Sequence, residues 1–407
     1  MKISLLCIGN ELLNGKTINT NAAWIGKKIS KLGSEIIQQT VVPDIELSII
    51  NKLNEMVNES PSCIIITGGL GPTDDDVTRS SLFKFVNTSE KFDSNYWSKL
   101  SKKFKNLGFD IPDSNRSQAM VPEKGQVIDN PLGSARGFQF KVDNTTLISL
   151  PGVPDEMKEM MNETIIPWIQ DNEESSFFTV RLRTTGIPES KLIEILEEPI
   201  KSDHRCSLGY YPSVYGVDLQ ISSNKDSSVN NFKKTIYDYL KGKIYTENDE
   251  NIENVVIRHA IDNKTTIAVA ESCTGGLVGS RITDVPGSSR VFLGGIIAYS
   301  NEIKKNTLGV DGTTLKRYGA VSEETAIEMA NSIRNKFSSE IGLSVTGIAG
   351  PDGGTVEKPI GLVYIGFSNK FGDKVFKRNF VSSRGINKKR TSQAALDILR
   401  MELINNE

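Results

Sequence analysis

Apolar runs alternate with amphipathic stretches along almost the whole chain. Residues 2–8 form a continuous apolar strand, and residues 19–32 carry Ala22, Ala23, Ile25 and Ile29 at helical spacing until Gly33 stops the run. The pair then recurs: a strand over 36–42, a helix over 46–58 with Ile49, Ile50, Leu53, Met56 and Val57, and a strand over 63–67. Such alternation predicts a mostly parallel sheet with helices on both faces. A helix over 91–107, a hairpin over 137–150 and a helix over 153–169 close this first domain, 1–170. Residues 171–176 are polar and read as a linker. A strand over 177–184, a helix over 189–196, a strand over 214–221 and a helix over 229–240 then sketch a small α+β unit, 177–245.

After a second polar junction at 246–253 the β-α alternation resumes in a third domain, 250–407. A helix to 261, a strand over 266–270, a helix from 276 and a strand over 292–299 come first. A helix over 323–337 follows, with Ser322 as its N-cap and Glu323 and Glu324 in its first turn. Strands over 341–346 and 361–368 and a last helix through 403 complete the pattern.

At 407 residues, the chain has length for two or three domains of roughly 150 residues each. Lys+Arg 48 against Asp+Glu 50 gives a net charge of -2, so no basic field points to nucleic acid. The longest apolar or glycine stretch, 291–299, is far short of the ~20 residues of a membrane-spanning helix. Asn10 and Glu11 end the apolar start before a signal-peptide core could form, so the expected location is cytoplasmic. The 4 cysteines, Cys7, Cys63, Cys206 and Cys273, lie far apart with no CxxC pair and read as reduced thiols. With only 2 histidines, His204 and His259, a hydrolase built on this chain is expected to use another base.

Two loop clusters carry candidate chemistry. After the strand over 63–67 comes Gly68-Gly69-Leu70-Gly71-Pro72-Thr73-Asp74-Asp75-Asp76, with a helix through 77–85 behind it. Glycines there let backbone amides approach a phosphate, and the helix start adds oriented N–H groups. Aspartates would repel a bare phosphate, so the combination suits a divalent cation bridging carboxylate and phosphate oxygens. The same residues also read as an acidic first turn after a tight loop. Gly9-Asn10-Glu11-Leu12-Leu13 ends the first strand at the same sheet edge, where Glu11 could face Asp75 and Asp76.

In the second cluster the strand over 266–270 runs into Glu271-Ser272-Cys273-Thr274-Gly275-Gly276 and an apolar helix. Ser272 would stand at a helix N-terminus whose free amides can stabilise an oxyanion. Cys273 is the competing nucleophile, since a helix N-terminus lowers a thiol pKa. A serine before glycines also reads as a plain helix cap.

The glycine and aspartate blocks, with Leu150-Pro151-Gly152-Val153-Pro154 and Glu156, resemble the N-terminal half of the CinA family, the competence/damage-inducible proteins. Glu271-Ser272-Cys273-Thr274-Gly275-Gly276, Tyr299-Ser300-Asn301 with Lys304, Tyr318-Gly319-Ala320-Val321-Ser322 and Thr346-Gly347-Ile348-Ala349-Gly350-Pro351 are similar to the family's C-terminal domain, which resembles nicotinamide-mononucleotide (NMN) deamidase. The resemblance implies an α/β fold of two three-layer domains, one molybdopterin-binding-like and one amidase-like, joined by a KH-like connector. It implies Ser272 as nucleophile with Tyr299 and Lys304 as proton-transfer partners. A desolvated lysine can act as a base without histidine. Thr274, Gly275, Gly276, Thr346, Gly347 and Arg384 are the expected substrate-binding residues, Arg384 as a planar fork for a phosphate.

For the first domain the resemblance implies an ADP-ribose pyrophosphatase. Gly68, Gly69 and Gly71 would line its substrate site, and Asp75, Asp76 and Glu11 would hold a Mg, Mn or Co type ion. The amidase site is expected to need no cofactor. Gly186-Ile187-Pro188-Glu189 lacks the second glycine of a GxxG clamp, so nucleic-acid binding is not carried over. NMN and ADP-ribose are the partners the resemblance implies, no membrane partner is expected, and the resemblance together with the apolar strand over 292–299 leads to the expectation of a homodimer. The alternative reading is a catalytically vestigial protein that binds nucleotides or molybdopterin.

Overall fold

The computed structural model describes residues 1–173, 178–202 and 204–404, so the expected linker at 171–176 and the first residue of the strand expected over 177–184 lie partly outside the described residues. The first domain is built on a six-stranded sheet in the order Glu35–Val42, Lys2–Ile8, Cys63–Thr67, Thr145–Leu150, Gly137–Val142, Gln126–Ile128. The first four run parallel and the last two are added antiparallel. Side chains alternate across a strand. Accordingly Ile3, Leu5 and Cys7 pack with Ile25, Ile29 and Met157 on one face, and Leu6 and Ile8 with Ile49, Leu53 and Leu82 on the other.

Two elements differ from the pattern reading. Residues 90–92 are a short strand paired with Met120–Pro122, so the helix expected from 91 begins at Ser94, capped by Asp93 accepting from the Tyr96 amide at 2.9 Å. The helix expected over 153–169 is broken into Pro154–Met160, a wide turn Met161–Ile165 and Ile166–Asn172. Pro167 at the start of the last piece has no N–H to continue the ladder.

The connector is a four-stranded sheet, Ser207–Pro212, Val217–Ser223, Phe178–Thr184, Ile244–Thr246, covered by the helices Glu189–Ser202 and Asp226–Tyr239 around Leu182, Leu192, Leu219 and Phe232. The third domain carries a five-stranded sheet in the order Phe292–Ile297, Ile267–Glu271, Ile341–Gly347, Leu362–Asn369, Gly372–Asn379. Its first three strands are parallel and its last two antiparallel. Helices Ile252–Asp262, Leu277–Thr283 and Arg384–Ile404 join the core on one face, and Glu323–Phe337 covers the other.

By contacts the chain forms two compact units, Met1–Thr179 with Ser223–Asp226, and Val180–Ser222 with Ser227–Glu407, so the connector packs with the third domain. Arg400 donates to Gly242 O at 2.8 Å and Gln393 to Thr185 Oγ1 at 3.2 Å across that junction. Among the described residues no helix is long and apolar enough to cross a membrane.

Candidate active sites

Strand Ile267–Glu271 is buried along its whole length and delivers the turn that follows it to the sheet edge. Gly275 (φ 61°) and Gly276 (φ 93°) take left-handed conformations there, and a Cβ on Gly276 would lie 3.0 Å from the Ile297 side chain. The helix Leu277–Thr283 starts immediately behind.

Three amides at its start are already taken, which narrows the expected oxyanion site. The buried Glu271 carboxylate accepts from the amides of Gly276 at 3.0 Å, Val278 at 3.1 Å and Gly279 at 2.8 Å. A carboxylate satisfies orphan helix donors better than water can, and it holds the turn rigid. The Ser272 amide is also committed, donating to Val345 O at 2.9 Å. Thr274 is fully buried beside Ser272, and its Oγ1 has no hydrogen-bond partner among the described residues.

Lys304 stands against Ser272. It is 1% exposed, and its Nζ lies 3.0 Å from Ser272 Oγ, 2.8 Å from Ala298 O and 3.3 Å from Tyr299 O. Its neighbours Glu302 and Lys305 are exposed, but Ser300 caps a short turn by accepting from the Ile303 amide at 3.1 Å, and that turn swings Lys304 inward. Burial lowers the Lys304 amine from the ordinary lysine value, because the charged form loses water. A neutral amine has two hydrogens and one lone pair. In that form, with the Ala298 and Tyr299 carbonyls taking the hydrogens, the lone pair would be left to face the Ser272 hydroxyl.

The competing thiol is withdrawn. Cys273 packs in the core, and burial pushes its thiol up to about 12, overturning the expectation that a helix N-terminus would lower it. Among the described residues no disulfide joins any of the four cysteines.

The remaining expected residues fall in two groups. The Tyr299 side chain is 60% exposed, and its hydroxyl accepts from Arg384 at 2.9 Å while Arg384 also donates to Gly350 O at 2.7 Å. The Tyr299 phenol has no hydrogen bond to Ser272 or Lys304 among the described residues, so only its carbonyl meets the lysine. Thr346 is buried and donates to Ala320 O at 2.6 Å, and Gly347 ends the strand opposite Val363. Lys388, not singled out in the sequence, brings Nζ to 3.6 Å from the position of a Cβ on Gly275. Its place one helical turn beyond Arg384 was the available signal.

In the first domain, strand register explains why three distant motifs meet. Ile8 lies opposite Val42, Cys7 opposite Thr67, and Thr67 opposite Leu150, so the loops after all four strands emerge at one edge. This is where the chain crosses to opposite sides of the first strand, the place where such sheets bind ligands. Gly68, at φ 103°, donates to Leu150 O at 3.1 Å, and a Cβ on it would sit 2.2 Å from Ile8 O. A cavity of about 440 Å³ results, lined among others by Glu11, Asp44, Gly68, Gly69, Gly71, Asp75, Asp76 and Glu156.

Asp44 was missed in the sequence, for it lies in a loop with no motif of its own. Its carboxyl accepts from the Asn10 amide at 2.8 Å, and burial together with the facing Glu11 and Asp75 charges raises its pKa. Asp76 instead turns onto its own loop, accepting from the Thr73 amide at 2.9 Å and from the Thr73 hydroxyl. The nearby Thr73 side chain and the Asp75 backbone amide hold the Asp75 carboxyl below the ordinary carboxylate range. Among the described residues no three acidic, histidine or cysteine side chains are drawn together as a ready metal cage. Glu11, Asp44 and Asp75 fit the looser arrangement of magnesium-like ions, held by one or two carboxylates with the rest of the shell from water and substrate phosphates.

Three family models match in chain order. "Probable molybdopterin binding domain" covers residues 4–171, "Damage-inducible protein CinA KH domain" 179–246, and "CinA C-terminal domain" 249–403. The chain is 37% identical over 410 residues to a competence-damage inducible protein of Clostridium novyi (strain NT), covering 99% of each. It is 38% identical over 410 residues to one of Clostridium beijerinckii, covering 99% of this chain and 100% of the relative. A competence/damage inducible protein structure from Agrobacterium tumefaciens matches 39% of this chain and 99% of its own, with 33% identity and a TM-score of 0.35. The chain belongs to the CinA family of competence-damage inducible proteins.

Proposed function

We propose that the C-terminal domain hydrolyses the carboxamide of NMN to nicotinate mononucleotide and ammonia. The observation that carries this reading is the Lys304 amine, 1% exposed and 3.0 Å from Ser272 Oγ. Neutral Lys304 takes the Ser272 proton as Oγ attacks the amide carbon, and the C=O becomes an oxyanion facing the turn, where the Thr274 hydroxyl has no other partner. The C–N bond then breaks, and the Lys304 ammonium returns the proton to the departing nitrogen, which leaves as ammonia. Water adds to the ester with Lys304 again accepting a proton. Collapse releases the carboxylate and restores the Ser272 hydroxyl. Arg384 and Lys388 supply positive charge at the rim for the nucleotide phosphate.

A second activity is proposed for the first domain, metal-assisted hydrolysis of ADP-ribose. It is supported by Glu11, Asp44 and Asp75 facing one cavity whose mutual repulsion a cation would relieve. A divalent ion there would be held by one or two of these carboxylates and would polarise the pyrophosphate oxygens. The test is ammonia release from NMN and hydrolysis of the ADP-ribose phosphoanhydride by the full chain, with and without EDTA. Ammonia release untouched by EDTA, with ADP-ribose cleavage abolished, is the expected result. No ammonia from NMN would refute the main reading.

A further inference from the structure

The connector and the third domain form a cleft of about 730 Å³ whose lining includes none of Ser272, Thr274, Lys304 and Arg384. One wall is the loop leading into helix Glu189–Ser202, where Gly186 takes φ 68°. The other is the edge strand Gly372–Asn379 and helix Arg384–Ile404.

Three separate elements each bring a cation to it: Lys243 just before strand Ile244–Thr246, Arg378 from the edge strand, and Arg390 from the helix. Two carboxylates also line it, but Asp397 is paired with Arg400 at 2.7 Å, which leaves Glu189. Among the described residues Lys243 and Arg390 make no ion pair. Positive charge in excess along the walls of a cleft concentrates anions, and a guanidinium matches phosphate oxygens in a planar fork. Tyr215 and Phe380 add aromatic surface to the same space.

The wall behind the cleft is rigid. Buried Arg281 lies 4.6 Å from the Tyr215 ring and donates to Glu253 at 2.7 Å, Ser392 at 2.9 Å and Gln393 at 2.8 Å. Gln393 in turn holds Thr185 of the connector. A preformed site of this kind loses little freedom on binding. The volume lies within the range of small-molecule sites and is larger than an inorganic ion requires.

We propose that this cleft binds an organic phosphate of mononucleotide size, its phosphate between Lys243, Arg378 and Arg390 and its ring against Tyr215 and Phe380. AMP is the probe, titrated into the full chain by isothermal calorimetry at low salt, with inorganic phosphate as competitor. The Lys243→Glu/Arg390→Glu chain should lose one equivalent of bound AMP, or bind that equivalent at least tenfold more weakly, with its thermal midpoint unchanged. Arg390→Gln alone should weaken the same step in the same direction, which separates charge loss from charge reversal. Equal stoichiometry and affinity in all three chains would overturn the site. Inorganic phosphate competing as well as AMP would overturn the assignment of an organic ligand.

Discussion

Replacing Lys304 by arginine keeps the positive charge and removes the ability to accept a proton. The amine it replaces ends among three oxygens at 3.0, 2.8 and 3.3 Å, in a position 1% exposed. Guanidinium could still donate to those oxygens, but with a pKa above about 12 it offers Ser272 no lone pair. General-base catalysis is worth about 10²–10⁴-fold, so kcat for NMN should fall by at least about 10² while KM changes little.

The unaltered enzyme should also show a pH limb that the variant lacks. Its kcat should rise with pH up to the Lys304 pKa, which burial sets below the ordinary lysine value, and fall as acid protonates the amine. The stability sign follows from the same shift. Between the folded and unfolded pKa the unfolded chain binds the extra proton, so stability gained from this residue rises with pH across that window. Lys304→Met should abolish both the kcat limb and this stability slope. Ammonia release followed from pH 5 to 10, with circular dichroism to verify folding, measures all of this. A Lys304→Arg chain with near-normal kcat and the parent's pH profile would refute the role assigned to the amine.

Glu271→Gln removes a buried carboxylate that accepts from three amides, and should cost about 1.5–3 kcal/mol, read in the denaturant midpoint; an unchanged midpoint would show that the cap is dispensable. Asp75→Asn with Asp76→Asn should abolish ADP-ribose cleavage and leave NMN turnover intact; undiminished cleavage would remove the metal assignment, and Asp44→Asn should give the same loss because Asp44 faces the same charges. Light scattering should give twice the chain mass, since edge strand Phe292–Ile297 leaves Leu293 and Ile297 exposed at 42% and 55%; a monomer at micromolar concentration would contradict this.

Legibility in the sequence followed burial. Helix Glu323–Phe337 was readable to the residue, because Ser322 caps it, accepting from the Thr325 amide at 3.2 Å, ahead of an acidic first turn. Strand Gly372–Asn379 was not, because as an exposed edge carrying Asp373, Lys374, Lys377 and Arg378 it has no apolar alternation to detect. Ser207–Pro212, also at a sheet edge, was hidden for another reason: Gly209 interrupts it and Pro212 ends it, both residues that strands disfavour. At the sites, residues beside glycine-rich turns announced themselves, whereas those acting across space did not. Glu271 looked like a strand end and is a cap; Asp44 looked like loop and faces the first cavity. Lys304 was placed by family resemblance, because its burial depends on a turn that its polar neighbours conceal.

The central claim is that Ser272, not its neighbour, attacks the carboxamide with Lys304 as base. NMN turnover of Ser272→Ala and Cys273→Ala, assayed side by side for ammonia, tests it most directly. Ser272→Ala should lose turnover by about 10³-fold or more with the fold intact. Cys273→Ala should keep most of it, since a thiol held at about 12 contributes packing alone. Retained turnover in Ser272→Ala, or its loss in a folded Cys273→Ala, would contradict the account.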